Sequence, residues 1–173
     1  MLVKIKRRVF DSIDDALLIW TCIEPTIQQI RGKSFIVKSE ASTHLTTGQR
    51  ALLMFQMLYG HTGNGVVEFY SHLSYLLSQK GVWTELKNGI QYFRDYAMLH
   101  LLDEIEEVYN ILKENNSKEN SDWLDVINID KDSNLQLTIS RLDKYLYEIL
   151  PTSIKLIGTY IRNYPDEFVQ VED

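Results

Sequence analysis

Two histidine–carboxylate pairs recur at helical spacing in this chain: Glu68 with His72, and His100 with Glu104, each four residues apart. That spacing puts both side chains of a pair on one helix face, and facing helices of a bundle can hold metal ions between such groups. The usual carrier in those sites is Glu-x-x-His, three apart, and neither pair has it. A histidine paired to a carboxylate one turn away explains both, so no metal and no other cofactor is expected. An enzyme or metal-binding protein using His72, Glu68, His100 and Glu104 stands as the alternative. The cluster Gly60-His-Thr-Gly63-Asn-Gly65 aims backbone amides toward a helix start, which is the physics of an anion site. It lacks the Lys-Ser/Thr of a phosphate-binding loop and a preceding strand, and a helix–helix turn capped by Asn64 accounts for it. Cys22 is the single cysteine and lies in an apolar helical stripe, the setting of a buried small hydrophobe. No serine-nucleophile signature is present, and a non-enzymatic function is expected.

The densest chemistry is acidic. Asp103, Glu104, Glu106 and Glu107 crowd five residues, and the segment 95–114 carries six carboxylates against Lys113 alone. Asp103 and Glu107 repel at i,i+4, at a cost of about 0.2–0.5 kcal/mol with no basic neighbour to offset it. Over some ~30 Å of helix the segment's net charge is −5, where duplex DNA would present roughly 18 charges. One helix therefore does not make a whole-surface phosphate mimic. The four carboxylates are the expected partner-binding residues all the same, because the imbalance continues beyond them. Residues 1–94 carry a net +4 and residues 95–173 a net −10, within a total of −6. Such asymmetry favours an oriented electrostatic surface, and taken with the crowded carboxylates it leads to the expectation of a basic protein partner. Lys4, Lys6, Arg7 and Arg8 make a basic segment over 1–10, too small for specific nucleic-acid binding to be expected. A second copy of the chain is left open as a partner.

The elements that must position these groups are helical nearly throughout. At 173 residues with 45% hydrophobic and 24% charged positions, the chain is long enough for one core without disulfide or metal. A first helix opens near Asp11 or Ser12, with Ile13, Leu17, Trp20 and Ile23 as its apolar stripe and Pro25 as a kink or restart. Residues 34–42 suit a linker better than a lone strand. Thr46 with Gln49 reads as a capping box for a helix to about Tyr59. Further helices follow over Val66 to Gly81, Thr84 to Phe93, and Asp95 to about Asn115, the last with Ala97, Leu101, Ile105, Val108 and Leu112 on one face. A polar connection covers 115–134, with Trp123, Leu124, Val126 and Ile127 docking back. Two helices flank Pro151, Pro165 stops the second, and Phe168 returns to the core while Val171 to Asp173 stay dispensable. The expected fold is all-α, a single compact domain of about six to eight helices over 1–173. The uncharged stretch Ala16 to Ile23 is too short to span a bilayer, and no export signal is visible, so a cytoplasmic protein without membrane contact is expected.

Two stretches carry a family resemblance. Leu45-Thr-Thr-Gly-Gln-Arg50, followed by Gly65-Val66-x-Glu68-Phe69-Tyr70-x-His72, resembles the Asn-Gly-Gly-Phe-x-Gln-Phe-Phe-x-Asn pattern of the bacterial DNA-mimic protein family. Val66, Glu68 and His72 depart from that pattern. Tyr160-Ile161-x-x-Tyr164-Pro165-x-x-Phe168 is similar to the family's Tyr-Ile-x-x-His-Pro-x-x-Phe ending, and Leu142-Asp143 precedes Tyr145 one position short of its Leu-Asp-x-x-Tyr. The similar region spans about 45–168. The resemblance implies a divergent member with an all-α fold and a carboxylate-bearing binding surface, and it favours DNA mimicry toward a basic or DNA-binding partner as the expected use of that surface.

Overall fold

The order of elements follows from where the chain can bury apolar faces. In the computed structural model, which describes residues 2–118 and 133–173, strand β1 (Val3–Lys6) runs into α1 (Arg7–Ser12), α2 (Asp15–Ile30), α3 (Phe35–Thr43), α4 (Thr47–Tyr59), α5 (Val66–Leu77), α6 (Val82–Tyr92), α7 (Tyr96–Lys118) and α8 (Ser133–Asn163). A 3-10 turn (Pro165–Glu167) and strand β2 (Val169–Glu172) follow. The fold is all-α, with eight helices among the described residues and one two-stranded parallel sheet. One buried cluster extends from Ile5 to Val169 through every helix from α4 to α8. The expected docking of Trp123, Leu124, Val126 and Ile127 falls outside the described residues. No described helix is long and apolar enough to cross a membrane.

Several boundaries differ from the sequence reading. Residues 34–42 are not a linker: Phe35–Thr43 form α3, opened by Ser34 in extended geometry with its carbonyl accepting from Lys38 N at 3.1 Å. The Phe-Ile-Val run there has strand propensity, a weak preference that tertiary context overrides, and α3 lies in contact with α2. Neither proline breaks its helix. Pro25 lies inside α2 and Pro151 inside α8. Each removes one backbone donor, but buried residues on both sides, Ile23 and Thr26 in α2 and Leu150 and Ser153 in α8, keep the helices continuous. The buried face of α2 is Leu18, Ile19, Cys22, Ile23 and Thr26, while Leu17 and Trp20 of the expected stripe are exposed.

The strands were not legible. Val3 to Lys6 pair in parallel with Val169 to Glu172, and Lys4 Nζ lies 2.6 Å from Glu172 Oε1. Val171 and Glu172 are thus part of the sheet and not a dispensable tail. The capping box of α4 is present: Gln49 N donates to Thr46 Oγ1 at 3.0 Å, and Thr46 N to Gln49 Oε1 at 3.1 Å. Thr46 Oγ1 also donates to Glu167 O at 2.5 Å, which fastens the start of α4 to the end of the chain.

Candidate functional site

The long helix α7 has one buried seam and two charged flanks. Leu101, Leu102, Ile105, Val108, Tyr109 and Leu112 face the core, whereas Ala97 of the expected stripe is exposed and Met98 is buried instead. Asp95 caps the start, accepting from Met98 N at 3.0 Å. Tyr70 of α5 donates its hydroxyl to Ile105 O at 2.6 Å and fixes the depth of α7. Burial pushes the pKa of that phenol up, so it stays a donor.

Helical spacing then divides the four acidic residues. Asp103 and Glu106, three apart, turn toward α6, where Lys87 Nζ sits 2.6 Å from Asp103 Oδ1 and 2.5 Å from Glu106 Oε2. Partial burial works against the Lys87 charge, but the hydrogen bonds to both carboxylates win and raise its pKa above the ordinary lysine value. Glu104 turns toward α8 and pairs with Arg141 Nη2, while His100 Nδ1 approaches it at 3.3 Å. Glu107 is exposed between the two flanks. The expectation that no basic neighbour offsets the cluster is therefore corrected. Lys87 and Arg141 supply the offset from other helices, and four carboxylates against two cations leave two net negative charges. Sequence reasoning missed both, because each pairing depends on how α6, α7 and α8 pack and Arg141 lies 37 positions from Glu104.

On the α8 side the charges line a groove of about 640 Å³ that runs past Tyr96, His100, Glu104, Arg141, Lys144 and Glu148. Tyr96 is 69% exposed, and Lys144 Nζ stands 3.9 Å from Glu148 Oε1. The groove alternates cations and carboxylates beside an accessible ring. Of these side chains, Tyr and Arg are the types that carry disproportionate binding energy at interfaces, whereas Lys and Glu are depleted there.

The other candidates resolve differently. Glu68 and His72 meet at 3.8 Å, and the His72 ring packs edge-on against His61, with centroids 5.7 Å apart. Burial first, and then the charge of His72, lower the His61 pKa, and Lys38 adds to this while Glu68 opposes it. The pair His100–Glu104 is engaged by Arg141 instead. Among the described residues no three His, Cys, Asp or Glu side chains are grouped to hold a metal ion, so the two pairs do not form one site.

The glycine turn does attract anions, but they are the chain's own. Asp143 Oδ1 accepts from Val66 N at 2.7 Å, and Glu68 Oε2 accepts from Asn64 N at 2.6 Å. Asn64 is not the cap. That position is Gly65, with φ 95°, where a Cβ would also fall 2.6 Å from Asp143 Oδ1. Cys22 is buried, and burial pushes its thiol up to about 12, an inert setting.

No protein family, curated protein or solved structure matches this chain.

Proposed function

We propose that the chain is a non-enzymatic protein-binding module that docks a basic partner, of the kind a DNA-binding protein presents, on the exposed face of α7 and the adjoining α8 groove. The observation that carries this reading is the arrangement of Asp103, Glu104, Glu106 and Glu107. Three are held in place by Lys87 and Arg141, and Glu107 projects between them. Carboxylates fixed in this way lose less side-chain entropy when they meet a partner than free ones. Two net negative charges fall well short of duplex DNA. The docking therefore rests on a few placed charges beside Tyr96, not on a whole-surface potential. The resemblance to the DNA-mimic family supports the same class of partner.

The test is affinity capture from cells with the wild type and with a Glu107→Lys/Asp103→Asn variant, with melting curves run in parallel. The reading predicts a stoichiometric basic partner that the variant loses while its melting stays close to wild type. An identical set of captured proteins would overturn it.

A further inference from the structure

A second cleft, of about 390 Å³, lies along the junction of α4 and α6 and shares no lining residue with the α7–α8 groove. Its floor is apolar and close-packed. Leu53 and Met54 of α4 are half-buried, and a Cβ on Gly89 of α6 would fall 2.5 Å from Met54 Cβ, so the two helices meet there without slack. Tyr92 forms one wall. Its ring stands 5.3 Å from those of both Phe93 and Tyr160. The wall is therefore held before any ligand arrives.

Two charges of opposite sign line this apolar floor, Arg50 from α4 and Glu85 from α6. Neither has an ion-pair partner among the described residues, and they do not pair with each other within 4.0 Å. The one described side-chain bond of Arg50 is a long contact of 3.5 Å to Thr47 Oγ1. A guanidinium fits a planar carboxylate through two parallel hydrogen bonds, and a carboxylate takes an ammonium. The surface between them takes hydrocarbon. Small-molecule sites begin at roughly 300 Å³, so this cleft holds only a small ligand.

We propose that the α4–α6 cleft binds a free α-amino acid with an apolar side chain, its carboxylate on Arg50, its ammonium toward Glu85 and its side chain on Leu53, Met54 and Tyr92. The ligand's two charges are adjacent on one carbon and its apolar branch leaves from the same carbon. Arg50, Glu85 and the apolar side chains of Leu53 and Met54 offer each of these three groups a place in one cleft.

The experiment is a titration of the full chain, followed by amide chemical shifts, with L-leucine, L-phenylalanine, leucinamide, N-acetyl-leucine and glycine. Saturable shifts confined to α4 and α6 are expected for leucine and phenylalanine. Removing the ligand's carboxylate (leucinamide) or its ammonium (N-acetyl-leucine) should weaken binding by roughly tenfold or more, and glycine should bind weakest. Arg50→Gln should erase the preference for leucine over leucinamide, and Glu85→Gln the preference over N-acetyl-leucine. Both positions are exposed, so the fold is retained. No saturable shift by about 10 mM ligand, equal binding of the blocked compounds, or affinities unchanged in both variants would each overturn the proposal. None of these outcomes bears on the α7 surface.

Discussion

Phe168 packs directly against Gly48: a Cβ at position 48 would come within 2.8 Å of the ring's Cζ. The ring is fully buried and stacks near Phe93, with centroids 6.2 Å apart. The end of the chain is thus built into the first turn of α4. Phe168→Ala should cost about 3–5 kcal/mol, the usual penalty for emptying an aromatic site. Gly48→Ala should also destabilise, because the ring must shift. Removing Val171 to Asp173 deletes the pairings to Ile5 and Lys6 and should lower stability measurably. Urea melts of the three variants check this. A wild-type midpoint for Phe168→Ala would contradict the contact.

Asp143 joins α8 to the start of α5. Its carboxylate meets Val66 N, which is otherwise an orphan donor at a helix start that has no side-chain cap of its own. Asp143→Ala should cost about 0.5–2 kcal/mol, as loss of an N-cap does. Hydrogen exchange should rise first in the first turn of α5. An unchanged exchange pattern there would mean that another group caps the turn.

His61 gives the fold a pH dependence of definite sign. Its pKa is lowered from 6.5 by burial and by His72 and Lys38, against Glu68. As pH falls through 6.5 the unfolded chain therefore binds a proton before the folded one does, and stability is lost over that window. Above it the contribution is fully present. His61→Gln should flatten the difference between melts at about pH 7.5 and about pH 5 relative to wild type. An equal difference in both proteins would remove His61 as a source.

How much of this was legible depended on the range of the interaction. The capping box of Thr46 and Gln49, the stop at Pro165 and the return of Phe168 are written in neighbouring residues and are legible there. The helix over 35–43 is not, because its Phe-Ile-Val run favours a strand locally, a preference weak enough for tertiary context to override. The parallel strands were invisible, since Lys4 and Glu172 are 168 positions apart and each strand has four residues. The acidic cluster on α7 was legible as a cluster. Its partners, Lys87 and Arg141, were not, because a sequence does not say which helix faces which. For the same reason the Leu142-Asp143 pair does not reveal in sequence that Asp143 caps α5.

The most direct test of the α7 surface is the affinity of the purified complex with its captured basic partner, measured against salt for wild type and Glu107→Lys. Pairing between exposed charges weakens as the screening length shortens. Affinity should therefore fall between about 50 and about 200 mM salt, and Glu107→Lys should weaken it by roughly tenfold at the lower salt with a shallower salt dependence. An affinity indifferent to both salt and the reversal at position 107 would contradict docking through this face.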